Sequence, residues 1–184
     1  ELVELTDVFQ ETEFAVFKNA ATVKAICVRN GSTLSRKQID EFTEVAKQEG
    51  AGGLPYIKYR VVTDVSGEYA FRIPVESVEE SYLVAESSIA KFLSEKEHLL
   101  LTKKFDIQDG DVLFFGADKK PTVNKVLGRL RNDFATHFEL KDPDTIALAW
   151  VVDFPFYETD ESTGKLDFGH NPFSMPKGGL EALK

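Results

Sequence analysis

The side chains able to do chemistry in this chain are few and scattered. Its one cysteine, Cys27, and its three histidines, His98, His137 and His170, lie far apart in sequence and on different predicted elements. A zinc site needs three or four nitrogen or sulfur ligands, usually arriving in closely spaced pairs, so no metal ligand set is expected. No serine stands on a Gly-x-Ser-x-Gly elbow, and the many paired carboxylates are what so acidic a chain produces by chance. No catalytic residue is therefore assigned. Gly50-Ala51-Gly52-Gly53 has the composition of a phosphate-cradling loop. It follows a helical pattern rather than a strand and lacks the Gly-Lys-Ser/Thr ending that the mechanism requires, so it reads as a helix cap running into a turn.

Two features keep a functional reading. Lys119, Lys120, Lys125, Arg129 and Arg131 lie near or off the apolar stripe of one long predicted helix. They are either a solvated face or a patch that meets an RNA backbone, with Lys125 and Arg129 as the candidate contacts. No aromatic residues interleave with them, so any contact would be to phosphates rather than to stacked bases. His170 sits between Gly169 and Asn171-Pro172, after a predicted strand pair. A loop residue on a rigid scaffold is where binding groups tend to be found, although a plain surface histidine fits the same pattern.

The elements that position these residues are read from periodicity. Thr22–Arg29 is predicted as a strand, closed by Asn30-Gly31. Ser35 and Gln38 fit a capping box, Leu34 and Ile39 a hydrophobic staple, and Ile39, Phe42, Val45 and Ala46 one apolar stripe ending at Gly50. Leu54–Val62 and Glu68–Ile73 read as strands around a turn at residues 64–67, and Glu76–Ser88 is ambiguous. Ser94 and Glu97 form a second capping box, opening a helix to about Lys104. Asp111–Gly116 is a short buried strand. Pro121 opens a long helix whose face carries Val123, Val126, Leu127, Leu130, Phe134 and Phe138. Ile146–Phe154, almost continuously apolar, is predicted as a fully buried strand, and Lys165–Phe168 returns after a hairpin loop. The order indicates an α+β fold, an antiparallel sheet with helices packed on one face.

The composition agrees with a folded domain. The chain has 184 residues, 42% of them hydrophobic and 29% charged, ordinary globular proportions that argue against disorder. No apolar run approaches the roughly 20 residues of a membrane span, and the start lacks the pattern of a signal peptide. With a single cysteine, a cytoplasmic protein is expected. Net charge is −9, from 22 Lys+Arg against 31 Asp+Glu, which makes general DNA or RNA binding through phosphate neutralisation unfavourable. The only methionine is Met175 and the first residue is Glu1, so the chain is expected to be processed or cut from something longer.

Several stretches together resemble bacterial-type aspartyl-tRNA synthetases. They are Glu1-Leu2-Val3-Glu4-Leu5-Thr6-Asp7-Val8-Phe9, Leu34-Ser35-Arg36-Lys37-Gln38-Ile39-Asp40, Ile89-Ala90-Lys91-Phe92-Leu93-Ser94-Glu95, Asp109-Gly110-Asp111-Val112-Leu113-Phe114-Phe115, Trp150-Val151-Val152-Asp153-Phe154-Pro155 and Gly169-His170-Asn171-Pro172-Phe173-Ser174-Met175-Pro176. The resemblance implies residues 1–20 and 141–184 as segments of a class II catalytic core, the latter carrying a His-x-Pro-Phe loop. Residues 21–140 are implied to be the GAD insertion domain. It also implies an aspartate–tRNA ligase reaction for the parent protein, with ATP, Mg²⁺ and tRNA, a homodimeric parent, and His170 as an aspartate-binding residue. The class II arginine motifs are missing from these 184 residues, so the chain alone is expected to be inactive and to need the remainder of the catalytic core. The other reading is a stand-alone GAD-type module that binds RNA or protein without catalysis; a third has the chain pairing with a separate polypeptide to complete an enzyme.

Overall fold

The computed structural model describes the chain apart from residues 64–66, 68, 76–79, 147, 149, 151–156, 161–162, 170–177, 179–180 and 182–184. It divides into two compact units, Glu1–Lys141 and Asp142–Lys184.

The first unit is built on a six-stranded sheet. Its strands are β1 (Leu2–Glu4), β2 (Thr22–Val28), β3 (Tyr56–Val62), β4 (Arg72–Pro74), β5 (Tyr82–Glu86) and β6 (Val112–Asp118), in the order β1-β2-β6-β3-β5-β4. Every pairing is antiparallel. β2 and β3 therefore run the same way with β6 inserted between them, and the helix α2 (Arg36–Gln48) carries the chain across, a split βαβ arrangement.

The central strand explains the layering. Val112, Leu113, Phe114 and Phe115 are all 0% exposed, so β6 is covered on both faces. Val112 and Phe114, with Ile26 and Val28, pack under Ile39 and Ala46 of α2 and under Val123, Leu127, Leu130 and Phe134 of α4 (Lys120–His137). This is the helical layer that the two stripes predict. The reverse face, with Ala25, Ile57, Tyr59, Leu113 and Phe115, is covered as well. Leu5, Phe9 and Phe17 of the N-terminal segment lie on it, together with Leu101 and Phe105 of α3 (Glu95–Phe105). A strand of consecutive apolar residues requires this second cover, because period-two geometry sends half of them to each side. The short α1 (Ala15–Lys18) carries Phe17, whose ring lies 4.6 Å from Phe9 and 5.2 Å from Phe115.

Local signals translate directly at the helix starts. Both capping boxes form: Ser35 Oγ accepts from Gln38 N–H and Ser94 Oγ from Glu97 N–H, each with the reciprocal side-chain bond. The ambiguous 76–88 stretch contains β5, whereas the turn predicted at 64–67 lies mostly outside the described residues.

The second unit contains a hairpin, β7 (Tyr157–Thr159) with β8 (Leu166–Phe168). The buried strand predicted at 146–154 falls largely outside the described residues. Where the chain is described, the prediction is corrected: Ile146, Leu148 and Trp150 are not in a strand and are 87%, 94% and 94% exposed. An apolar run is buried only where something is present to cover it.

Candidate functional site

α4 begins at Lys120 with Pro121 in its first turn, a position where the missing N–H costs nothing. Its buried stripe turns Lys125 and Arg129 outward on the side facing the end of α2. There the two helices are tied by Phe42 and Phe134, with ring centroids 4.6 Å apart. The loop after α2 closes by the Schellman pattern: Gly50 N–H donates to Lys47 C=O and Ala51 N–H to Ala46 C=O, both at 3.0 Å. Gly50 sits at φ 103°, the left-handed conformation this motif requires. The glycine-rich stretch is thus a helix terminator, as its position after a helix implies.

That terminator delivers a carboxylate to the basic face. Glu49, the last residue before Gly50, lies 3.3 Å from Lys125 Nζ and 3.5 Å from Arg129 Nη1. Arg129 Nε also donates to Asp133 at 2.9 Å. The two candidate phosphate contacts are therefore brought together, and both are already engaged by carboxylates. Sequence reasoning missed Glu49. Asp133, four residues from Arg129 on the same helix, was legible as an i,i+4 pair.

His170 lies outside the described residues. The other histidines are structural. His98 is fully buried against Phe71, and His137 closes α4 against Phe42 and Phe138. Cys27 is half-buried, and burial, reinforced by the Asp111 carboxylate, pushes its thiol up to about 11, so it is no nucleophile at neutral pH. Asp111 itself is spoken for. It holds Arg29, whose other donors reach the Phe105 and Asp106 carbonyls at 2.9 Å and close the end of α3. Among the described residues no three His, Cys, Asp or Glu side chains are grouped to hold a metal ion. Among the described residues, no helix is long and apolar enough to cross a membrane.

The family model of the GAD domain matches residues 15–127. The chain belongs to the GAD domain family. Its matched segment runs from α1 into α4, so strands β2 to β6, the two capping boxes and the Glu49–Lys125 contact lie within it, while β1 precedes it. Relatives extend the likeness to the whole chain. An "Aspartate--tRNA(Asp/Asn) ligase" of Rickettsia felis is 37% identical over 187 residues, and an "Aspartate--tRNA ligase" of Streptomyces avermitilis 37% identical over 184. Each alignment takes in 100% of this chain and 28% of the relative. The GAD chain thus spans a little over a quarter of the length of the curated proteins it matches.

Proposed function

We propose that this chain is an internal part of an aspartate–tRNA ligase, with residues 21–140 as the GAD insert and residues 1–20 and 141–184 as catalytic-core segments on either side. The alignment of the entire chain with 28% of the length of such ligases carries this reading. The second unit supports it physically: Ile146, Leu148, Trp150 and Leu166 are each 70% or more exposed, and a hairpin with no third strand among the described residues is marginal in water and fits a piece of a larger sheet.

The parent protein would join aspartate to ATP, releasing pyrophosphate, and pass the aspartyl group to tRNA, with Mg²⁺ neutralising the phosphates. It would act in the cytoplasm as a homodimer. In that reaction His170 binds aspartate and does not act as the chemical base. Lys125 and Arg129 are the proposed tRNA-backbone contacts, and an RNA phosphate arriving there displaces Glu49. Charge stabilisation at the reacting phosphate belongs to arginines outside these 184 residues, so the chain alone does not activate aspartate. Aspartate-dependent pyrophosphate exchange tests this. The expected result is none from the 184-residue chain and robust exchange from the full-length parent; robust exchange by the chain alone refutes the reading.

A further inference from the structure

β6 is an inner strand for most of its length and an edge strand at its end. β3 pairs with it only through Tyr56–Lys58, opposite Val112–Phe114. One step beyond, Phe115 N–H still reaches the Pro55 carbonyl at 2.8 Å. Proline has no N–H to return, so the ladder ends there with the Phe115 carbonyl unmatched. Ala117, two residues on, points its backbone the same way as Phe115. The β2 side agrees. Val23, opposite Ala117, bonds its N–H to Thr6 Oγ1 at 3.0 Å and its C=O to Leu5 N–H at 2.8 Å. Both groups face β1, which makes Val23–Ala117 a non-hydrogen-bonded pair. The N–H and C=O of Ala117 are therefore turned away from β2, and among the described residues no hydrogen bond satisfies them.

They face a cleft of about 400 Å³ lined by Val16, Gly52, Gly53, Pro55, Ile89 and Val126 among others. A groove of similar size shares Val16, Ala117 and Asp118 and continues past Asn19 and Lys119. Lys119 lines this groove, and two further exposed lysines adjoin lining residues in the chain, Lys18 next to Asn19 and Lys120 next to Lys119. Among the described residues none of them is in an ion pair, in contrast to Lys125. Among the described lining residues the one acid, Asp118, accepts from Lys119 N–H at 2.6 Å.

We propose that this cleft binds an extended acidic peptide segment, which adds as a strand to β6 opposite Phe115–Asp118 and sets its carboxylates against Lys18, Lys119 and Lys120. An N–H and a C=O side by side on one residue are what a strand edge offers another strand. The glycines let a second backbone approach, the apolar lining takes alternate side chains, and the lysine rim selects acidic ones. A single-stranded RNA is disfavoured, because among the described residues no aromatic side chain lines the cleft to stack a base.

The test is fluorescence anisotropy on the 184-residue chain with a labelled, end-blocked peptide of alternating glutamate and valine. A valine–lysine peptide and an oligouridylate run in parallel. Micromolar binding of the acidic peptide alone is expected, weakening as salt rises, with amide exchange at Ala117 slowed on saturation and that at Leu113 unchanged. Gly53→Leu, where an added Cβ meets nothing within 4 Å, should keep the thermal midpoint and weaken binding roughly tenfold. Lys119→Glu with Lys120→Glu should weaken it similarly, at a helix start that tolerates acids. Absence of acidic-peptide binding at millimolar concentration overturns the proposal. So does binding without protection of Ala117, equal binding of the lysine peptide, or oligouridylate binding that Gly53→Leu abolishes.

Discussion

His98 is fully buried in α3, its ring stacked on Phe71 with centroids 4.5 Å apart and its Nε2 3.0 Å from the Ala90 carbonyl. Its Nδ1 has no hydrogen-bond partner among the described residues. Burial holds its pKa below the ordinary 6.5, against the opposing pull of the Ala90 carbonyl and Glu97. Below pH 6.5 the unfolded chain therefore takes up a proton that the native state refuses, and stability falls as pH falls. Urea midpoints at about pH 7.5 and 5.5 should differ more for the native chain than for His98→Gln; equal differences would show that His98 does not titrate as argued. Arg29 gives a second residue-scale expectation. Its loss leaves the Asp111 carboxylate, whose side chain is 2% exposed, without its counter-charge and held by the Gln108 N–H at 2.8 Å, and frees the end of α3. Arg29→Ala should cost roughly 1.5–3 kcal/mol, the range for hydrogen bonds to charged groups, read as a lower denaturation midpoint.

At the scale of elements, the capping boxes and one glycine make the sharpest cases. Ser35→Ala and Ser94→Ala should each cost about 1 kcal/mol, because each leaves a first-turn N–H without its acceptor. Gly116 of β6 lies against α4: an added Cβ would stand 3.1 Å from Leu127 Cγ and from Val123 Cγ1. Gly116→Val should push the helix off the strand and cost about 1–3 kcal/mol as overpacking. Thermal melts of the three variants check both arguments, and a Gly116→Val midpoint equal to the parent's would mean that the α4–β6 packing is loose.

For the whole molecule, the two units should behave differently. The first has a closed core on both sides of its sheet, and Leu127→Ala should destabilise it by roughly 2–5 kcal/mol as a cavity at a fully buried position. The second exposes the apolar side chains of its hairpin. Hydrogen exchange on the 184-residue chain should find β2, β3 and β6 protected and the β7–β8 amides exchanging fast, and the hairpin should become protected in the full-length parent. Slow exchange of β7–β8 in the chain alone would refute its dependence on a covering partner.

Much of this fold is local and so was open to reading from the chain. Ser35-x-x-Gln38 and Ser94-x-x-Glu97 specify helix starts within four residues, the Val123–Phe134 stripe specifies a buried helix face, and Gly50 specifies a terminator. The resemblance to aspartyl-tRNA synthetases rested on short ordered motifs and needed no coordinates. What the sequence could not supply was set by chain segments meeting across long separations. Coverage of both sheet faces depends on where Leu5, Phe9 and Leu101 arrive, because an apolar β6 demands cover without naming it. The pairing of Glu49 with Lys125 and Arg129 depends on α2 and α4 packing side by side. The open edge at Ala117 depends on Pro55 lying opposite Phe115, since a backbone group is satisfied or stranded only by the neighbour that the tertiary fold puts beside it.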